Sequence, residues 1–394
     1  MLFRSWQGPV ERSWPDVVPV RDQVGVRHLV VTRHALVRQV LGDPDAWRPD
    51  NALDAVTPIP VAALRILARH GFRLPPTLAN NGGPSHPGIR SIVAAALHPH
   101  RVAEQRPWLT ALVRDRVAGL RATLRAGREV DLYADLAADL PLLVLARLVD
   151  LPPAGVDAVK RFARSALELF WAPVDADRQR ELADTVGRFH RVLREFTATG
   201  AGLTAELRAA GHPPDVLVGA LFFLLVAGQE TTSQFLTLLL HRLHGEAATL
   251  AALADGTVSV DDVVEEGLRL EPPIVTWRRT AARDGVLGGV PVPAGTSVML
   301  WLARAGRDPA VVADPDGFRP GQRGSRRHLA FGAGAHRCVG AQLSRMEAAV
   351  VAAEAAPLLP GTTVVRPPWC PDNLSFRMPD AFVLRAATPA RAAA

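Results

Sequence analysis

Apolar residues recur at helical spacing through most of the chain. From Gly88 to Leu240 the pattern is almost wholly helical, with breaks at Pro99, Pro152 and Pro153, Pro173, and Pro213 and Pro214. Proline lacks the N–H and has a fixed φ, so helices stop or start at these points. Ahead of this region "VRHLVVTR" reads as a strand and leads into a short helix ending near Gly42, Asp43 and Pro44. Arg48 to His86 is broken by prolines and glycines and predicts one helix near Ala62 to His70 within a long irregular cover. A further helix is predicted after Ser259, stopping at Pro272 and Pro273. "GVLGGVPVPAGTSVMLWL" reads as a hairpin, a coil rich in Pro, Gly and Arg follows, and short strands are expected beyond Gly361. The pattern is mainly α with a smaller β part. With no repeat or low-complexity linker to divide it, residues 1–394 read as a single domain.

The longest apolar run, Val216 to Leu240, has the length of a membrane span, but Gln229, Glu230, Thr231, Thr232, Ser233 and Gln234 interrupt its middle. A lipid-facing helix would not carry that block. It predicts instead a core helix whose polar centre faces a cavity, and no membrane partner.

Composition narrows the class. At 48% hydrophobic and 21% charged, the 394 residues are ample for a large core. The opening "MLFRSWQGPVERSWPDVV" lacks the apolar core of a signal peptide, and two cysteines give no disulfide framework. A cytoplasmic protein is expected. The net charge of +6 comes with a single lysine, Lys160, among 45 basic residues. Without a helix-turn-helix, zinc-finger or aromatic RNA-binding motif, that charge does not point to nucleic acid.

One of the two cysteines carries the chemistry. In "HLAFGAGAHRCVGAQLSRMEAAV", Val339, Leu343, Met346 and Val350 recur at helical spacing, so Cys338 stands at a helix N-terminus. Unpaired N–H groups and the positive dipole end there favour a thiolate. Gly332 and Gly334 give the loop unusual backbone freedom, and Gly340 on the first helical turn leaves one face without a side chain, so something flat could approach. Three readings are open at this point: a nucleophile with His336 as base, a metal ligand, or a structural buried thiol. Zinc finds no paired His and Cys spacing.

Three motifs in order, "AGQETT" at Ala227 to Thr232, Glu266 with Arg269, and "FGAGAHRCVG" at Phe331 to Gly340, resemble the cytochrome P-450 superfamily of haem-thiolate monooxygenases. The resemblance runs from near Asp50 to the end of the Cys338 helix and is nearest in type to soluble bacterial members. It implies the cytochrome P-450 fold, with haem b (iron protoporphyrin IX) between the long central helix and the cysteine loop, and Cys338 as the iron ligand. It also implies that Phe331, Gly332 and Gly340 pack at the ligand. The implied partners of the haem propionates are His86 and Arg90, four apart on one helical face, with Arg279, His328 and His336. Arg278 adjoins Arg279 and leaves that register open. Ala227 and Gly228 would make room on the other haem face. Thr231 would hydrogen-bond back to Ala227 and position a proton for dioxygen, and Glu230 would link the site to solvent. Glu266 and Arg269 resemble the family's buried clamp, but Gly317 stands where a third cation is common, so that either Arg319 replaces it or the clamp lacks its third member. Gly306 stands where asparagine is common.

The implied function is hydroxylation of a small organic substrate using dioxygen, with natural-product biosynthesis the expected setting. Its electrons would come from NAD(P)H through a ferredoxin reductase and a ferredoxin. The ferredoxin would dock on a basic patch formed by Arg323, Arg326, Arg327, Arg337 and Arg345. One rival is oxidative aromatic cross-linking of a peptide or other natural product. Another, of a different class, is a haem-based gas sensor or carrier. The expected pocket residues are Phe223, Val226, Ala227, Val275, Thr276, Phe170 and Trp171.

Overall fold

The computed structural model describes residues 15–21, 25, 27–150 and 155–387. The break expected at Pro152 and Pro153, and most of the opening stretch read for a signal peptide, lie outside the described residues. Strands β1 (Val17–Arg21) and β2 (Arg27–Val31) pair antiparallel and lead into α1 (His34–Gly42) and the short β3 (Trp47–Arg48). The irregular cover holds α2 (Val61–Arg69) and ends at α3 (His86–Ala96). The helical body continues through α4 (Pro99–Arg125), a two-residue β4 (Val130–Asp131), α5 (Leu140–Val149), α6 (Val156–Trp171), α7 (Ala176–Thr199) and α8 (Gly202–Ala209).

Where one long core helix was expected, two occur: α9 (Pro214–Ala227) and α10 (Glu230–His244), with Gly228 and Gln229 between them. Residues Pro214–His244 are long and apolar enough to cross a membrane, but 72% of the apolar window is buried within the protein. Next come α11 (Ala247–Ala254) and α12 (Val260–Leu270), which starts where Ser259 Oγ accepts the Asp262 N–H at 3.1 Å.

The remaining strands are β5 (Thr276–Ala281), β6 (Gly285–Leu287), β7 (Val290–Val292) and β8 (Ser297–Trp301). The expected hairpin covers only β6 and β7. Gly288 and Gly289, both at positive φ, make its turn, while β8 leaves to join the large sheet. That sheet runs β1-β2-β8-β5-β3, and its β2–β8 pair is parallel. The turn of helix α13 (Leu302–Ala305) follows, and after a long coil comes α14 (Ala341–Ala355), packed against α4, α10 and α12. The expected C-terminal strands are β9 (Thr362–Arg366) and β10 (Val383–Ala386), which form a second sheet with β4. A large apolar core runs through the helical body, and a separate cluster packs on the five-stranded sheet.

Candidate active site

A cavity of about 1340 Å³, its mouth included, is bounded by the α9–α10 junction, the 331–340 loop, β5 and the start of α14. Cys338 lies three residues before α14, whose N-cap is Gly340, so the thiol precedes the first turn. Its backbone N–H donates to the Phe331 carbonyl at 2.8 Å, closing the loop. Gly334 has φ +69°, and a Cβ there would come within 2.2 Å of the Leu41 carbonyl, so only glycine lets the loop lie against α1. The Cys338 side chain is accessible, yet protein encloses it except towards the cavity. Burial pushes the thiol above its ordinary range, against the Gly340 N–H and the charges of Arg90, Arg337 and Arg345. A bound metal cation would reverse that balance. Among the described residues no group of three or more His, Cys, Asp or Glu side chains could hold a metal ion. Cys338 therefore suits a metal that arrives with most of its ligands, as a porphyrin iron does.

The other groups at the cavity fit such a cofactor's carboxylates. Alternation along β5 puts Trp277 and Arg279 on the cavity side, whereas Arg278 turns away to the carbonyls of Ala52 and Asp54. This settles the register of the arginine pair. Arg279 is 2% exposed, its guanidinium donates to the Arg278 carbonyl, and burial alone pulls its pKa down to about 10. No acidic side chain answers it among the described residues, so the site is built to receive an anion. His336 lines the cavity, and His86, outside the lining itself, packs against it with centroids 4.2 Å apart and planes tilted by 34°. His336 Nδ1 meets the Leu78 carbonyl at 3.2 Å, and the buried His86 Nε2 has no partner. Arg90 lines the cavity and donates to the Arg337 carbonyl.

Across the cavity, Ala227, Gly228, Thr231 and Thr232 line the α9–α10 junction. Thr231 Oγ1 donates to the Ala227 carbonyl at 2.7 Å, as its spacing predicted. Gly228 has a packing reason of its own: a Cβ there would meet the Leu224 carbonyl at 2.5 Å and Leu145 at 3.1 Å. The polar block does not face the cavity as a whole. Gln229 and Glu230 turn away to the single lysine, with Lys160 Nζ 2.5 Å from Glu230 Oε1 and 2.8 Å from Gln229 Oε1. The Glu230 carboxylate is completely buried, and Arg164 lies 3.8 Å from its other oxygen.

His328 is a correction. It lies outside the cavity lining, with Nε2 3.3 Å from Glu265 on α12 and Nδ1 accepting the Ala330 N–H. Glu265 also takes Arg345 at 2.5 Å, and the Arg345 guanidinium sits 4.5 Å over the Phe331 ring. The clamp is likewise completed differently. Glu266 and Arg269, both buried, pair twice at 2.7 and 2.8 Å. The third partner is not the Arg319 side chain, which binds Asp314, but its backbone N–H, joined by Gln322 and Ser325. Gly317 and Gly306 contribute carbonyls to Arg269, and a Cβ on Gly306 would meet the Arg269 carbonyl at 2.7 Å.

Of the expected pocket residues only Phe223 and Ala227 line the cavity; Val226, Val275, Thr276, Phe170 and Trp171 are buried behind it. Sequence reasoning missed Leu78, Ala79, Ile274 and Trp277. Trp277 was within reach, two strand positions from Arg279, while nothing in the irregular cover signalled Leu78.

The family model described as Cytochrome P450 matches residues 259–354. The chain is 33% identical to the cytochrome P-450 monooxygenase DoxA of Streptomyces sp., over 84% of this chain and 81% of that one. It is 28% identical to the erythromycin C-12 hydroxylase of Saccharopolyspora erythraea, over 87% and 83%. Among solved structures, cytochrome P450 CREJ in complex with (4-ethylphenyl) dihydrogen phosphate superposes with a TM-score of 0.90 at 27% identity, covering 98% of this chain and 96% of that one.

Proposed function

The chain belongs to the cytochrome P450 family of haem-dependent monooxygenases that use dioxygen, and from that premise we propose that it hydroxylates a small organic molecule in natural-product biosynthesis, with Cys338 as the iron ligand. One observation carries the reading: an accessible thiol, the Thr231 hydroxyl and a buried arginine without an acid line the same cavity. When bound, the haem iron supplies dioxygen activation and the oxidation of a C–H bond.

The chain's own residues do the rest. Cys338 would give up its proton on ligating the metal, and the Gly340 N–H would temper the sulfur's charge. Arg279, Arg90, His86 and His336 would hold the two propionates, while Phe331, Gly332 and Gly340 on the cysteine side and Ala227 and Gly228 on the helix side would leave room for the flat ring. Thr231 keeps a proton on Oγ1, directed at the Ala227 carbonyl, and delivers it into the cavity when that hydrogen bond rotates. Behind it Glu230 is held by Lys160, whose partly exposed ammonium links the pair to solvent. Electrons reach the site from NAD(P)H through a ferredoxin reductase and an acidic ferredoxin. The exposed Arg323 and Arg327, on the coil leading to the cysteine loop, offer the docking charge, with Arg326 beside them paired to Asp262 at 2.9 Å. Arg345 contributes less than its position suggested, being committed to Glu265. The proposed location is the cytoplasm. The hydroxylase relatives favour this reading over a gas sensor, and no feature of the cavity favours aromatic cross-linking.

The test is reconstitution with haem. The reduced carbon monoxide complex should show the strongly red-shifted band of thiolate ligation, and Cys338→Ser should lose it. NAD(P)H consumption with surrogate redox partners should yield a product carrying one added oxygen. A red-shifted band that survives in Cys338→Ser rules the assignment out.

A further inference from the structure

We infer that Gln234 and Tyr133 hold an internal water on Glu230 Oε2 and form with it a proton entry into Glu230 on the side away from Lys160. This rests on the haem-dependent reading above and adds the route by which protons reach its acid.

Gln234 stands apart within its own helix. Its polar neighbours on α10 each find a partner: Thr232 Oγ1 donates to Ser344 Oγ at 3.2 Å, Ser233 Oγ to the Glu230 carbonyl at 3.0 Å and Thr237 Oγ1 to the Ser233 carbonyl at 2.9 Å. The Gln234 amide is completely buried, yet among the described residues neither its Nε2 nor its Oε1 has a partner. An amide sealed in this way is costly unless something polar meets it. Whatever meets it must both donate and accept, because the amide does both. Water does so, whereas a cation or an anion answers only half of it.

Glu230 supplies the rest of the site. It lies one turn before Gln234, at i,i+4 on the same helical face. Lys160 takes its Oε1, but the buried Oε2 has no hydrogen-bond partner among the described residues. Arg164 Nη1 stops 3.8 Å short of Oε2, beyond bonding distance, and the same nitrogen donates to Tyr133 Oη at 2.7 Å. Polar groups spaced in this way around unpartnered buried atoms are the setting in which a water bridges them. Through that shared nitrogen the phenol comes within one water of the carboxylate.

Tyr133 reaches outward from there. It is the chain's only tyrosine, half-buried, on a π-helical turn (Tyr133–Ala137) that packs against α10. Its hydroxyl accepts from Arg164, which leaves its own proton to be donated. Burial pushes the phenol above its ordinary range against the pull of Arg164, so it hands protons on rather than ionising. Oη gives its proton to the water as it takes another from solvent, and the water gives one to Glu230 Oε2. The carboxylate gains a proton, and the phenol and the water end as they began.

The experiment joins crystals of the haem-loaded protein to a solvent isotope effect. The parent should show an ordered water within bonding distance of the Gln234 amide, Glu230 Oε2 and Tyr133 Oη, and Gln234→Leu and Gln234→Met should lack it. Two apolar variants guard against one that fails to fold. Gln234→Leu and Tyr133→Phe should each lower product per NAD(P)H about 3- to 10-fold, the worth of one hydrogen bond. Each should also raise the ratio of product formation in H2O to that in D2O, which a merely structural change would leave alone. A Gln234 amide bonded directly to Glu230 with no water between them, or an isotope effect unchanged in either variant, overturns the inference. The red-shifted carbon monoxide band, recorded on each sample, scores the haem reading separately. If the band is present and the water or the isotope effect fails, only this inference falls. If it is absent from the parent, both fall.

Discussion

The Thr231 hydroxyl donates to the Ala227 carbonyl at 2.7 Å across the two residues that separate α9 from α10. The bond occupies a carbonyl that the interrupted helix would otherwise leave unpaired, and it holds the hydroxyl at the cavity wall.

Thr231→Ala therefore should leave the carbon monoxide spectrum intact and separate NAD(P)H consumption from product formation. Product per NAD(P)H is expected to fall by about tenfold or more, because a positioned proton donor is lost. Thr231→Ser should recover most of it. Coupling measured as product against peroxide checks this, and an unchanged ratio in the alanine variant removes the hydroxyl from proton delivery.

Arg279 is buried with no acid beside it. Arg279→Leu should make the haem-free chain no less stable than the parent, and up to about 1–4 kcal/mol more so, since it removes an uncompensated charge. The same change should weaken haem binding at least about tenfold. Melting of the haem-free protein and titration with haem should move in opposite directions.

The clamp behaves in the opposite way. Arg269 spends its donors on Glu266 and on the carbonyls of Gly306, Asp314, Pro315 and Gly317. Arg269→Ala strands a buried carboxylate, which should cost about 3–5 kcal/mol. Denaturant unfolding checks the size, and a parent-like midpoint counts against a buried pair.

Glu265 predicts an acid-side stability limit. Burial would raise its pKa, but His328 and Arg345 outweigh burial and hold it at about 2. Burial also pushes His328 down, so His328 acts mainly as a neutral N–H donor and Arg345 supplies the charge. The folded pKa lies below the unfolded one. The contribution, on the order of 3 kcal/mol, is therefore complete above about pH 4.5 and lost as pH falls towards 2. Glu265→Gln should flatten that part of the stability profile, as thermal melts from pH 6 to pH 2.5 would report.

Local spacing made part of this site readable. The i,i+4 relation placed Thr231 against Ala227, and the glycine loop before an apolar helical stripe brought Cys338 to notice. Partners from distant elements were not readable. His328 lies 63 residues from Glu265, and no local pattern tells a histidine that reaches a cofactor from one that pairs with a helix behind it. The break at Gly228 was hidden because the polar block that follows it fits a continuous helix as well as an interrupted one, and a Cβ on that glycine would meet both the Leu224 carbonyl one turn back and the side chain of Leu145. Trp277 was passed over although strand alternation from Arg279 reaches it. The division of the predicted hairpin depended on β8 finding β2, which the alternation within β8 does not disclose.

The pairing of β2 with β8 also bears on how the chain is made. His28 and Ser297, bonded across that parallel pair, are 269 residues apart. At roughly 5–20 residues per second, β2 leaves the ribosome about 15–55 s before its partner exists. During that interval its β8-facing edge has no partner, and pairings of such long range close slowly. The helical body between the two strands can collapse meanwhile. The sheet that carries Trp277 and Arg279 is therefore completed late in synthesis, which makes the period before Ser297 emerges the one in which a chaperone bound to β2 would most improve the yield of folded protein.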